Sequence, residues 1–333
     1  MSKLKIALVG CGGIMNAHVN GLLTFDDIEV VAVADPRPER TEGMMKRTGA
    51  TTAYSCGKEL LEKEAKLDAA FICIEPTAHN GIEETCIARG IPFLVEKPMT
   101  LDMAQGKAIS EAVAAKGLVT AVGFQDRYLD LTDRMKQELE NMKVGLVYAS
   151  WLGGIPGVWW WVKKDTCGGQ LYEQNIHIVD QLRYFFGEAE KVYATCGRGL
   201  VNPSEVADTL PAYETDDFST ATVTFKSGVV ANIMSCCYIT KQGTGIRNGI
   251  TVIGRDKSFE YKLRDSLTIY SDGIETRIPR KIDQMARLDR AFLDAVVAKD
   301  PTAVRSPYAD GYKSLLLANA ANESMATGQV VYL

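Results

Sequence analysis

Three groups of residues in this chain have types and spacings suited to chemistry. Lys97 closes the run Phe93-Leu94-Val95-Glu96 just ahead of Pro98, which sets a cationic amine at the end of a strand. Farther along, Gly168-Gly169 precede Glu173, His177 and Asp180, and the spacing predicts a single helix with all three near one face. Near the start, Gly10-Cys11-Gly12-Gly13 close a first strand and open a first helix. Oxidising a secondary alcohol requires a base for the hydroxyl proton, a cation near the forming carbonyl and an acceptor for the hydride. His177 and Lys97 fit the first two parts, in either assignment. Glu173, one turn before His177, could orient the imidazole or touch a substrate hydroxyl. Asp180 could do the same, with a structural pairing as an equal alternative.

The glycine cluster points to the hydride acceptor. Gly10, Gly12 and Gly13 allow a tight turn whose backbone approaches a pyrophosphate at a helix N-terminus, although the third glycine of the usual GxGxxG falls on Met15. Asp35 ends the second predicted strand, where a carboxylate accepts hydrogen bonds from the adenosine ribose, so NAD is expected over NADP. Arg37 and Arg40 are near enough to pair with a 2′-phosphate, or to be solvated charges on the next helix. The chain has three histidines. His18 is expected to pack or hydrogen-bond behind the cofactor, and His79 to begin the helix after Ile74-Glu75-Pro76-Thr77, beside the nicotinamide. Three scattered histidines and no CxxC pair give no metal-ligand spacing, so no metal is expected.

Substrate recognition has one aromatic signal. Trp151 and Trp159-Trp160-Trp161 fall in one stretch ahead of Lys163 and Lys164. The indoles of Trp160 and Trp161 suit the apolar faces of pyranose or cyclitol rings, while Lys163, Lys164, Arg127 and Tyr128 could bind hydroxyls or a carboxylate. A subunit interface is the competing use for these aromatics.

The elements that must position these residues alternate between two periodicities. Over the first 120 residues, short apolar, largely β-branched runs at 4–9, 29–34, 69–74, 93–95 and 119–122 read as strands buried on both faces. Helical stretches at 14–23, 38–47, 58–64, 78–89 and 102–115 supply crossovers, giving a doubly wound parallel α/β sheet. After Gly123 comes a helix at 129–141, then strands at 144–152, 191–196, 218–225, 229–235, 250–253, 258–262, 267–270 and 276–278. Turns at 226–228, 254–256 and 271–273 are too short for crossover helices, so this part is α+β with antiparallel pairs. The expected domains are 1–123, binding dinucleotide, and 124–333, binding substrate. Helices at 284–298 and 310–326 are expected to pack back on the first domain.

Composition narrows the class. At 333 residues, two domains with separate cores are expected. A net charge of −5 spread over 37 basic and 42 acidic residues leaves no basic block for nucleic acid. No apolar run has membrane-spanning length and the start leads straight into a strand, so a cytoplasmic chain is expected. Several of the eight cysteines lie inside apolar runs, as reduced thiols do.

Gly10-Cys11-Gly12-Gly13-Ile14 with His18, Pro76 with His79, Glu96-Lys97-Pro98, and Gly168-Gly169 with His177 and Asp180 together resemble the Gfo/Idh/MocA family, relatives of glucose-fructose oxidoreductase and inositol dehydrogenase. The resemblance spans nearly the whole chain, and its most specific element is the pairing of Glu96-Lys97-Pro98 with the later histidine. It implies a Rossmann domain followed by an open, mostly antiparallel sheet, with homodimers or homotetramers built on that sheet. It also implies NAD(P)-dependent hydride transfer at a carbon of a polyhydroxylated sugar or cyclitol. Ile14, Pro76, His79, Glu96 and Lys97 then join Gly10, Gly12, Gly13, Asp35 and Arg40 at the cofactor. Many relatives carry aspartate where this chain has Glu173. Two other classes share the fold: NAD-dependent glycosidases that oxidise a ring carbon transiently and eliminate the leaving group, and NAD-binding regulators without turnover. The regulators commonly lose the lysine or the histidine, and this chain keeps both.

Overall fold

In a computed structural model, which describes residues 3–202, 206, 212–240 and 248–333, the chain divides into two compact units. The first comprises Met1–Tyr128 and Asp283–Tyr312, the second Leu129–Ile282 and Lys313–Leu333. The chain runs β1 (Leu4–Val9), α1 (Gly13–Leu22), β2 (Ile28–Ala34), α2 (Pro38–Thr48), β3 (Thr52–Tyr54), α3 (Gly57–Lys63), β4 (Ala69–Ile72), α4 (Ile82–Arg89), β5 (Phe93–Val95), α5 (Met103–Lys116) and β6 (Thr120–Val122). It continues through α6 (Asp130–Leu139), β7 (Val144–Leu152), α7 (Lys164–Cys167), α8 (Gln170–Glu173), α9 (Ile176–Phe186), β8 (Ala189–Gly197), β9 (Phe218–Phe225) and β10 (Val230–Cys236). The remainder is β11 (Gly249–Gly254), β12 (Lys257–Lys262), β13 (Ser266–Ser271), β14 (Ile274–Pro279), α10 (Gln284–Ala298), α11 (Tyr308–Thr327) and β15 (Val331–Tyr332).

The first unit is a doubly wound sheet of six parallel strands in the order β3-β2-β1-β4-β5-β6. β4, β5 and β6 are buried along their whole length, as their unbroken apolar runs require of strands covered by helices on both faces. Strand order reverses between β1 and β4, and the turn after β1 meets the end of β4 there. Gly10 has φ of +84°, and a Cβ on it would fall 2.1 Å from the Cys73 carbonyl oxygen, so only glycine fits that close approach. α10 belongs to this unit and packs on α1, with Gly21 against Ala286.

Two expected helix boundaries are corrected. His79 does not begin a helix, because Asn80 (φ 41°) and Gly81 (φ 82°) turn through the left-handed region and α4 starts only at Ile82. Nor do Glu173, His177 and Asp180 share one helix: α8 ends at Glu173 and α9 begins at Ile176. At the break, the Asn175 N–H donates to the Gln170 carbonyl at 3.0 Å, a five-residue reach that widens the turn. Side-chain amides tie the break to β10: Gln170 Nε2 donates to the Cys236 carbonyl at 2.5 Å, and Asn175 Nδ2 to Ser235 Oγ.

The second unit is built on a nine-stranded sheet in the order β14-β13-β12-β11-β7-β10-β9-β8-β15. All pairs are antiparallel except β7 with β10. The three short turns join hairpins as expected, and Asp272 and Gly273, both at positive φ, form the tightest. Burial alternates along β9, the signature of a sheet with one covered face. The other face exposes Leu146, Tyr148, Tyr193, Met234 and Ile253.

Replacing Gly10 with alanine should lower unfolding free energy by about 2 kcal/mol or more, since it adds left-handed strain to a backbone clash. Urea denaturation checks this; an unchanged midpoint would show that the β1 and β4 ends do not meet as described.

Candidate active site

The carboxyl edge of the parallel sheet gathers the first set of residues, because every strand in it points the same way. Gly10 follows β1, Asp35 follows β2, Pro76 follows β4, and Glu96 and Lys97 follow β5. Gly12 is the N-cap of α1 without a side-chain cap, Gly13 is its first residue, and a Cβ on Gly13 would meet open space. The first turn of α1 therefore presents its backbone N–H groups, an arrangement that suits an anion. Ile14, on the same turn, is an exposed apolar residue, whereas Met15, at the third fingerprint position, is fully buried in the core. Asp35 is buried. Its Oδ2 accepts from the Cys11 N–H at 3.0 Å and its Oδ1 from the Arg37 N–H at 3.0 Å, so the carboxylate braces the glycine turn. Arg40 Nη1 stands 3.9 Å from the same carboxylate. Burial, reinforced by Asp35, pushes the Cys11 thiol up to about 12, so no thiolate charge opposes an anion at the turn.

Pro76 is buried in the loop after β4, and His79 behind it bonds through Nδ1 to the carboxylate of Glu83, also fully buried. His79 Nε2 and Glu83 Oε2 have no hydrogen-bond partner among the described residues. Glu96 is buried and holds two neighbours: Oε1 lies 3.2 Å from His18 Nε2, and Oε2 accepts the Lys97 N–H at 3.1 Å. Lys97 is half-buried, and its bond to Pro98 is cis.

Arg127 and Tyr128, expected to bind substrate, make hydrogen bonds within the first unit. Both are almost completely buried in the first unit. Arg127 Nη1 donates to the Arg305 carbonyl at 2.6 Å and pairs with Asp310 at 2.6 Å. The Tyr128 hydroxyl accepts from the Arg305 N–H at 2.9 Å, and that residue's guanidinium lies over the Tyr128 ring. A guanidinium and a phenol so placed tie the 305 segment to the turn that follows β6.

In the second unit, His177 sits on α9, 5% exposed, with its ring stacked on Trp151 at 5.9 Å between centroids and 20° between planes. The Arg264 guanidinium lies 5.6 Å from the Trp151 ring. Glu173 Oε2 accepts the Trp161 indole N–H at 2.8 Å. Trp161, expected as a sugar platform, is fully buried with Cys167 and Cys237; Trp160 is half-buried beside that cluster. Lys163 pairs with Glu214, and Lys164 with Asp216 at 2.7 Å. Asp180 Oδ1 accepts from Ser314 Oγ at 2.7 Å, which in turn accepts from Arg183 Nη1 at 2.9 Å, the structural pairing weighed above. Trp151 is a companion of His177 not expected above, though its place on β7, in step with buried Val147 and Ala149, was a usable signal. Arg264, beside that ring, left no signal in the sequence.

A doubly wound sheet with a glycine turn at its β1/β4 switch, an uncapped helix N-terminus and a carboxylate ending β2 defines a dinucleotide-binding unit, and these residues fit NAD. Residues 4–124 match the family described as the oxidoreductase family with an NAD-binding Rossmann fold, and residues 142–260 match the GFO/IDH/MocA C-terminal domain. The chain belongs to the Gfo/Idh/MocA family of NAD-binding oxidoreductases. It is 26% identical to the myo-inositol 2-dehydrogenase of Thermotoga maritima over 99% of this chain and 98% of that protein. It is 24% identical to the inositol 2-dehydrogenase of Rhizobium meliloti over 97% of each. A levoglucosan dehydrogenase solved with NADH and levoglucosan shares the fold, with a TM-score of 0.86, 18% identity and 99% of each chain covered. Among the described residues no helix is long and apolar enough to cross a membrane.

Trp161→Phe should cost about 1–3 kcal/mol of stability, because it leaves a buried carboxylate oxygen without its donor. Equilibrium unfolding measures this. A wild-type midpoint would mean that the indole N–H does not hold Glu173.

Proposed function

We propose that this protein oxidises a secondary alcohol carbon of a cyclitol or sugar ring with NAD. The observation that carries the reading is the anchoring of Lys97, through Glu96, at the sheet edge that also carries the glycine turn and Asp35. Bound NAD supplies the hydride acceptor. Lys97 gives a hydrogen bond to the alcohol oxygen and stabilises the charge that grows there as the carbonyl forms. His177 accepts the hydroxyl proton, and its ring plane is held by the stack on Trp151. Glu173, held by the Trp161 indole, orients the imidazole or meets a substrate hydroxyl. Asp35 bonds the adenosine ribose and sets the preference for NAD. The relatives' printed names, two of them inositol 2-dehydrogenases, support a polyhydroxylated ring as substrate.

A panel of inositols, pyranoses, uronic acids and glycosides should reveal substrates by NADH absorbance. With the best of them, Lys97→Ala should lower kcat by about 100-fold or more with little change in NAD affinity, and His177→Asn should abolish the rise of the oxidation rate with pH. Glycoside cleavage without net NADH would replace the dehydrogenase reading with an elimination. A Lys97→Ala enzyme that lost only cofactor binding would remove the lysine from the chemistry.

We also propose that the open face of the nine-stranded sheet joins copies of this chain, on the strength of its exposed Leu146, Tyr148, Met234 and Ile253. Sedimentation should then give a dimer or tetramer, and Tyr148→Glu with Met234→Glu should dissociate it. A monomeric wild type would end the idea.

A further inference from the structure

His18 is completely buried on α1, with both ring nitrogens facing carboxylates. Nδ1 lies 2.7 Å from Asp289 Oδ1, supplied by α10, and Nε2 lies 3.2 Å from Glu96 Oε1. The Cys73 thiol also faces the ring, and Phe71 meets it edge-on at 5.8 Å. An ionised carboxylate only accepts hydrogen bonds, and a neutral imidazole has one donor to offer. An imidazolium has two, so the charged ring satisfies both neighbours. Burial opposes that charge, but the Asp289 carboxylate outweighs it and lifts His18 well above its ordinary value.

The far end of this chain of bonds is Lys97. Glu96 uses one oxygen for His18 and the other for the Lys97 N–H. The carboxylate also lies against the backbone of Gly123, where a Cβ would fall 2.3 Å from Oε1, leaving it no room to swing that way. We infer that His18 and Asp289 are positioning residues for Lys97, a buried charged pair that clamps Glu96 and so fixes the backbone from which the lysine side chain departs. The importance of that position rests on the role proposed for Lys97 above; the clamp itself does not.

Histidine-selective 15N labelling of the full chain gives only three imidazoles to assign. One should keep the doubly protonated signature above neutral pH and vanish in His18→Asn. On the same samples, protection of the Lys97 amide against hydrogen exchange should fall about tenfold in His18→Asn, while β1 amides keep theirs. Asp289→Asn, nearly isosteric, guards against a folding failure. It removes the charge that raises His18, so the imidazolium, and with it Lys97 protection, should be present at low pH and lost as pH rises through the lowered titration. In turnover, His18→Asn should reduce kcat about tenfold with KM for NAD within about twofold. Asp289→Asn should add a descending limb to kcat with rising pH, which a packing role alone would not produce. A neutral His18 at pH 7, unchanged Lys97 protection in both variants, or wild-type kcat in both overturns the inference. Expected NMR and exchange results with no turnover by the wild-type enzyme would instead uphold the clamp and overturn the function proposed for Lys97.

Discussion

The nucleotide-binding unit depends on the close approach of two strand ends. β1 and β4 lie side by side while the order of strands departs from them in opposite directions, so the loops that follow them part and leave a crevice at the carboxyl edge. The chain can turn there only without a side chain, which is why Gly10 sits against the Cys73 carbonyl. From that constraint the rest of the edge follows. The Gly10 N–H donates to the Ala34 carbonyl and the Cys73 N–H to the Val9 carbonyl, both at 2.8 Å, so the turn is tied on both sides. Asp35 then reaches the Cys11 N–H from β2, and the start of α1 is left with its backbone donors facing outward.

The second unit solves a different problem, that of keeping carboxylates buried in an aromatic setting. A buried carboxylate without donors is costly. Trp161 supplies a donor to Glu173, and Ser314 one to Asp180, while Arg183 and the break between α8 and α9 are bound into neighbouring elements. The tryptophans are thereby divided by task. Trp161 is a core indole spent on a carboxylate, and Trp151 is a flat surface for the His177 ring.

The parallel sheet was legible in the sequence because strands buried on both faces appear as unbroken apolar runs, and the hairpins because their turns are short. What escaped was settled by tertiary contacts. β3, three residues at a sheet edge, is too short to show a period. The helix spacing from Glu173 to His177 looked regular, but side chains on β10 hold a wide turn inside it. Arg127 and Tyr128 are residue types suited to substrate hydroxyls or a carboxylate, yet their partners at 305 and 310 are distant in sequence. Asp289 could have been found. It falls in line with Met285, Leu288, Phe292 and Leu293 on the buried stripe of α10, where an unpartnered carboxylate would be costly and a buried cation is the natural companion. His18 is placed in the same way on α1, between Met15 and Leu22 on the buried stripe.

The missing third glycine ties these observations together. Glycine at the third fingerprint position lets the helix approach its strand closely. Here Met15 fills that space, so the distance between α1 and the sheet is set by a flexible side chain in the core. The close approach occurs on the other side of α1 instead, where a Cβ on Gly21 would lie 3.0 Å from the Ala286 Cα. From Gly21 to His18, and from Ala286 to Asp289, is three residues in each helix, about one turn along the contact. Small residues where the helices nearly touch thus bring imidazole and carboxylate to 2.7 Å in the core. That second contact of the same helix sets the imidazole between Asp289 and Glu96.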